Sequence, residues 1–222
     1  MKEIKAIIFD LDGVITDTAE YHYLAWKQLG EELGIPFDRT FNEQLKGVSR
    51  MESLERILAY GNKSNVYTME EKEQFAEKKN EMYKQLIQKI TPKDLLPGIE
   101  NFMREIKENG IKIGLASASK NAFTVIERLG VGHYFDTIVD AATVKNSKPD
   151  PEVFLKAADQ LNVPYENCVG VEDAQAGVEA IKRAGMFAVG VGNAEQLARA
   201  DLVVSCTSDL KLDDIKRAFS EN

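Results

Sequence analysis

Asp10 and Asp12 stand one residue apart in Phe9-Asp10-Leu11-Asp12-Gly13-Val14, directly after the continuous apolar run 4–9. Three further groups carry chemistry later in the chain: Ser117 with Ser119, Lys148 before Pro149, and Glu172-Asp173 followed closely by Gly177. Taken singly, each has a plain structural reading. Asp-X-Asp-Gly suits a turn, serines suit helix caps, and Lys-Pro suits a loop. Taken together they say more. Asp10, Asp12, Glu172 and Asp173, with no imidazole or thiolate beside them, form an all-oxygen set that suits a hard cation, and Mg²⁺ is preferred where phosphate completes its shell. Four crowded carboxylates cost energy unless a cation compensates them. Serine and lysine opposite would bind the remaining phosphate oxygens. The chemistry implied is phosphoryl transfer: one carboxylate accepts the phosphoryl group as a nucleophile, and a second carboxyl protonates the leaving oxygen and later deprotonates the incoming one. Asp10 ends the apolar run directly and is the expected nucleophile; Asp12, in the turn, is the expected acid/base.

That reading requires four distant segments to meet at one edge. From residue 93 onward, short apolar runs (111–116, 137–139, 168–171, 187–191, 202–204) alternate with helix-period segments (121–129, 151–161, 175–184), the pattern of a parallel sheet covered by helices on both faces. Run 4–9 has the unbroken apolarity of a central strand. Residues 16–92 break the rhythm with amphipathic helix patterns over 20–33, 50–60 and 70–90 and no strand. A connection of that length between strands must be a domain of its own. The expectation is an α/β fold: a Rossmann-like, doubly wound parallel sheet built from residues 1–15 and 93–222, with an α-helical cap domain, 16–92, inserted after the first strand. The joints are Thr16-Asp17-Thr18 and 91–98. In such a sheet the chemistry-bearing residues share the edge at the C-terminal ends of the strands, where ligands bind.

Composition narrows the class. The 222 residues carry 28 Lys+Arg against 36 Asp+Glu, a net charge of −8, with 44% hydrophobic residues. This is a globule with an ample core, and its acidity argues against a nucleic-acid partner. No apolar run approaches a membrane span, and an acidic residue falls where a signal peptide would still be apolar. Cys168 and Cys206 offer neither a disulfide framework nor a zinc cage, so a cytoplasmic, reduced protein is expected. No apolar stripe calls for a second copy, and a monomer is expected. Lys46-Gly47-Val48-Ser49-Arg50 sets two cations around a glycine in an acidic chain, which fits a phosphate group. His22 and Trp26 read as core or surface positions, and the acidic helix containing Glu70–Glu81 as a solvated face.

FDLDGVITDT, LASASKN, SKPDPEVF and GVEDAQAG, in that order, resemble the four motifs of the haloacid dehalogenase superfamily, and the inserted helices resemble its helical-cap subclass. Segments 19–29, 42–50 and 90–100 are similar to the cap and hinge of the β-phosphoglucomutases. The resemblance covers essentially the whole chain. It implies interconversion of β-D-glucose 1-phosphate and β-D-glucose 6-phosphate, through a β-glucose 1,6-bisphosphate intermediate that also primes the enzyme, with one Mg²⁺ per site. It implies Asp10 as nucleophile and Asp12 as general acid/base, Asp12 also giving its backbone carbonyl to the metal beside Asp10, Glu172 and Asp173. Ser117 and Lys148 would hold the transferring group. Gly47, Val48, Arg50, Ser119, Lys120 and Asn121 would bind the substrate's other end, while Thr18, His22 and Lys46 would help bring Asp12 into place. A sugar-phosphate or phosphoglycolate phosphatase shares the four motifs and differs in its acceptor, water. A phospho-Asp signalling receiver has no need of Asp12, Glu172-Asp173 or a cap.

Overall fold

The structure, a computed structural model, describes residues 3–222. The first strand, β1 (Ala6–Phe9), is followed by four helices, α1 (Ala19–Glu32), α2 (Arg39–Asn42), α3 (Arg50–Tyr60) and α4 (Met69–Ile87). The chain then alternates: α5 (Ile99–Glu108), β2 (Lys112–Leu115), α6 (Ala122–Leu129), β3 (Thr137–Ile138), α7 (Glu152–Leu161), β4 (Cys168–Glu172), α8 (Gln175–Arg183), β5 (Phe187–Val191), β6 (Leu202–Val204) and α9 (Leu212–Glu221). All six strands form one parallel sheet in the order β3-β2-β1-β4-β5-β6. The direction of winding reverses between β1 and β4, and this switch point is where open α/β sheets bind ligands. The sheet is the doubly wound one expected. Most elements lie within three residues of their expected bounds, and α2, α5 and α9 are additional.

Period-two alternation explains why β1 is apolar throughout. Ile7 and Phe9 face the core under α5, α6 and α9, while Ala6 and Ile8 face the core under α7 and α8. The second face is built from small groups, including Cys168 and Ala188. At Gly170 in β4, an added Cβ would lie 2.5 Å from Ile181 of α8. The missing side chain is what lets α8 settle on the sheet and aim its first turn at the strand ends. Cys168 is a buried free thiol, as expected.

The inserted helices have their own apolar centre, with Tyr23, Trp26, Leu29, Ile35, Phe37, Leu54, Ile57 and Leu58 among its members. Thr68 and Glu71 close α4 with reciprocal capping bonds, and Ser49 caps α3 by accepting the Glu52 N–H. The two crossings between insert and sheet are bound to each other. Thr16 bridges Leu95 in antiparallel fashion, its hydroxyl donates to the Asp94 carbonyl at 2.7 Å, and Leu96 N–H donates to Ile15. Among the described residues no helix is long and apolar enough to cross a membrane.

Gly170→Ala should overpack the α8–sheet contact and lower stability by about 1–3 kcal/mol. Urea unfolding measures this; an unchanged midpoint would mean that α8 does not need the missing methyl.

Candidate active site

Strand register brings the catalytic candidates to one level. Phe9 pairs with Leu115 on one side and with Val171 on the other, so Asp10, Ser117 and Glu172 emerge together at the C-terminal edge. The Asp10 N–H donates to Val171 and the Ala116 N–H to Phe9, so both departing chains stay pinned past the strand ends. Lys148 reaches this point from the loop before α7 and is 1% exposed. Its Nζ donates to Asp10 Oδ1 at 2.6 Å, to Glu172 Oε1 at 2.6 Å and to the Ala116 carbonyl at 3.1 Å. Burial alone would discharge this lysine, but Asp10 and Glu172 outweigh it and hold its pKa above the ordinary value. Glu172 Oε2 accepts the N–H groups of Asp173 and Ala174, each at 2.9 Å. A Cβ on Gly177 would overlap the Glu172 carboxyl, so the glycine makes room for the acid beneath α8.

Asp10, Glu172 and Asp173 each present an oxygen within 4.8 Å of the others. Gly13, with φ +77°, lets the turn after β1 press against Asp173, where any Cβ would strike that carboxyl. Burial, then the charges of Glu172 and Asp10, push the Asp173 carboxyl well above its usual range. Lys148 pairs with two of these carboxylates and Lys46 lies near the third, which with Asp12 close by still leaves an acidic excess in an all-oxygen pocket. This donor set fits Mg²⁺.

The insert closes over this edge and leaves a cavity of about 540 Å³. Two hydrogen bonds hold it there, Ser49 N–H to Ser147 Oγ at 3.2 Å and Asn121 Nδ2 to Asn80 Oδ1 at 2.9 Å, and His22 Nε2 approaches Asp12 Oδ2 to 3.8 Å. Asp12 Oδ1 has no hydrogen-bond partner. Asp12 lines the cavity, and burial, then the charge of Asp10, pushes its carboxyl up to about 8. His22 stacks on Tyr83 with centroids 4.0 Å apart, and its Nδ1 lies 2.7 Å from Lys79 Nζ. The Lys79 ammonium also sits over the rings of Trp26 and Tyr83, at 4.7 and 4.9 Å. Burial first, then Arg50, pulls it down to about 7, and burial and Lys79 hold His22 well below its ordinary value. Neutral His22 therefore accepts at Nδ1, which leaves its Nε2–H turned to Asp12.

The expected residues divide by depth. Asp10, Asp12, His22, Lys46, Gly47, Val48, Arg50, Ser119, Lys120, Asn121 and Asp173 line the cavity. Ser117, Lys148, Glu172 and Thr18 lie behind it, 0–1% exposed. His22 approaches Asp12 as expected. Lys46 instead pairs with Glu43 at 2.9 Å and faces Asp173. Thr18 lies beside the Tyr83 hydroxyl, which is also close to Ser119, without a closed hydrogen bond from Tyr83 to either. The helix after Ser119 starts at Ala122, and the serines instead order the preceding loop: Ser117 Oγ accepts Ser119 N–H and Ser119 Oγ accepts Asn121 N–H.

The reading of α4 as a solvated face needs correction. Lys79, Asn80 and Tyr83 are buried, and Glu73, Ala76, Glu77, Lys79 and Asn80 line the cavity. Trp26 serves both as core and as cavity wall. A signal for Lys79 exists in the sequence: Ala76, Tyr83 and Ile87 mark an apolar stripe at helical spacing, and Lys79 and Asn80 fall on it.

Mg²⁺ at a hundredfold excess over its dissociation constant should stabilise the chain by about 2.7 kcal/mol. The gain should be larger at pH 7.5 than at pH 5.5. A carboxyl raised by folding keeps its proton as pH falls, and that proton competes with the metal at Asp173. Thermal melts check this; an equal Mg²⁺ effect in Asp173→Asn would remove that residue from the metal set.

Comparison with known proteins agrees with this geometry. Residues 4–185 match the haloacid dehalogenase-like hydrolase profile. A β-phosphoglucomutase of Bacillus subtilis (strain 168) is 55% identical over 210 residues, spanning 95% of this chain and 93% of that protein. The crystal structure of a β-phosphoglucomutase from Clostridium difficile superposes with a TM-score of 0.97 at 56% identity, covering 98% of both chains. A phosphorylated-carbohydrates phosphatase of Thermotoga maritima is 29% identical over 98% of this chain and 99% of its own. The chain belongs to the haloacid dehalogenase-like hydrolase family, in its β-phosphoglucomutase branch.

Proposed function

We propose that the chain is a phosphomutase interconverting β-D-glucose 1-phosphate and β-D-glucose 6-phosphate through β-glucose 1,6-bisphosphate, with Asp10 as the phosphoryl carrier, 16–92 as a cap over 1–15 and 93–222, and one Mg²⁺. The observation that carries this reading is the approach of His22 to Asp12, Nε2 lying 3.8 Å from Oδ2: a residue of the insert stands beside the acid/base of the sheet edge, so proton transfer is tied to cap closure. A mutase needs that tie in both half-reactions, because its acceptor is again a sugar hydroxyl, whereas a phosphatase needs it only when the leaving group departs.

Asp10 and Asp173, with Glu172 and the Asp12 carbonyl, would hold Mg²⁺, which when bound offsets the repulsion between carboxylates and phosphate. Asp10 Oδ attacks phosphorus of the bisphosphate, the bond to the sugar oxygen breaks, and that oxygen takes the proton of Asp12. In the return direction Asp12 removes the proton of a sugar hydroxyl, whose oxygen attacks the phosphoryl group on Asp10; the bond from phosphorus to the Asp10 oxygen breaks and the carboxylate is freed. A carboxyl raised toward neutral pH is suited to both roles. Lys148 and Ser117 hold the transferring group from behind. Arg50, Ser119, Lys120 and Asn121 bind the far phosphate, so a bound sugar phosphate draws the cap shut and excludes water that would hydrolyse the aspartyl phosphate.

The test supplies β-glucose 1-phosphate with Mg²⁺ and trace bisphosphate, and records glucose 6-phosphate and free phosphate together. Glucose 6-phosphate should dominate; phosphate release faster than isomerisation would replace this reading with a sugar-phosphate phosphatase. Asp12→Ala should slow transfer to the sugar by about 10²–10⁴-fold. A near-normal rate in stopped-flow assays would remove Asp12 as acid/base.

A further inference from the structure

Arg50 does not face the cavity alone. Its Nη1 donates to Glu77 Oε2 on α4 at 3.1 Å. Glu77 Oε1 accepts Asn80 Nδ2 at 3.1 Å, and Asn80 Oδ1 accepts Asn121 Nδ2 at 2.9 Å. Arg50, Glu77, Asn80 and Asn121 all line the cavity. A continuous relay therefore runs from the insert's guanidinium, through one carboxylate and one amide of α4, to an amide of the sheet domain. The hydrogen bond from Asn80, then the charge of Arg50, holds the Glu77 carboxyl below its ordinary value, so it is ionised at neutral pH.

Two of the donors that the functional reading assigns to the far phosphate, Arg50 and Asn121, are thus both matched to acceptors on α4, and only one of those acceptors is an anion. Arg50 is mostly buried and Glu77 is mostly exposed, with side-chain exposures of 19% and 58%. The cation is fixed in the wall of the cavity while its partner can swing into solvent. A ligand reaching Arg50 must compete with Glu77, and a phosphate dianion competes better than a singly charged acid or a neutral hydroxyl.

We propose that Glu77 is a specificity-determining residue: an exchangeable counter-anion that occupies Arg50 and makes engagement of the far subsite depend on a doubly charged phosphate. This rests on Arg50 acting as a phosphate grip, and it places the selectivity in α4 rather than in the Gly47–Arg50 loop.

Isothermal titration calorimetry of the full chain with inorganic phosphate tests it. Glu77→Gln keeps an acceptor for Asn80 and removes the charge; phosphate should bind about two- to fivefold more tightly, the range of an exposed ion pair. Glu77→Ala should repeat the gain, and high salt should shrink it. The gain should vanish in an Arg50→Ala background, which also separates phosphate bound at Arg50 from phosphate bound beside Lys148. Unchanged or weaker binding in both Glu77 variants, or an equal gain without Arg50, would overturn the inference. The mutase reading fails separately, in the product assay of the wild-type protein.

Discussion

A single buried ammonium ties the sheet edge together. Lys148 joins the end of β1 to the end of β4 by two 2.6 Å ion pairs and reads the end of β2 through the Ala116 carbonyl. Three charges in a site so little exposed are costly to desolvate, and they persist only where geometry and further hydrogen bonds compensate. Here the compensation is visible: two backbone N–H groups on Glu172, a glycine above its carboxyl, and the Phe154 ring 5.0 Å from the ammonium. Removing one member of such a cluster leaves a buried charge unpaired, typically at a cost of about 3–5 kcal/mol. The arrangement therefore contributes little net stability and much positional precision, which is what a nucleophile attacking phosphorus in line requires.

The insert supplies the complementary half. Asp10 is held by the strand it ends, whereas Asp12 sits in a turn whose neighbours include neutral His22 and Lys79 of the insert. His22 is itself held by stacking on Tyr83 and by Lys79, so the orientation of the acid/base depends on packing among α1, α4 and the sheet edge. The two crossings bond to each other at Thr16, Asp94 and Leu95, so the chain enters and leaves the insert at one place beyond β1. In the mechanism proposed here, closing the lid would both order the proton-transfer group and remove bulk water.

Much of this was legible in the sequence because the residues involved obey local rules. A strand covered on both faces must be apolar throughout, so residues 4–9 announce β1 and place Asp10 at its end. Gly13 and Gly177 mark close approaches to Asp173 and Glu172. Helix α5 is less visible: its start is Gly98, with φ +84° and no side-chain cap, although Ile99, Phe102, Met103 and Ile106 form a clear apolar stripe. Lys79 and Asn80 were hidden for a different reason. Lysine-, glutamate- and asparagine-rich segments usually face solvent, and only the tertiary placement of α4 over the strand ends turns those polar groups inward. The contacts of Arg50 with Glu77 and of Asn80 with Asn121 join segments far apart in the chain, and no spacing rule encodes them.

The central claim is that Lys148 holds Asp10 in the state that accepts a phosphoryl group. Peptide mass spectrometry after rapid acid quenching from β-glucose 1,6-bisphosphate tests it directly, comparing the wild-type chain with Lys148→Met. The account predicts one phosphoryl group on the Asp10 peptide of the wild type and none in Lys148→Met, with the circular dichroism of the folded chain retained. Phosphoryl on another residue, or equal labelling of Asp10 in both proteins, would contradict it.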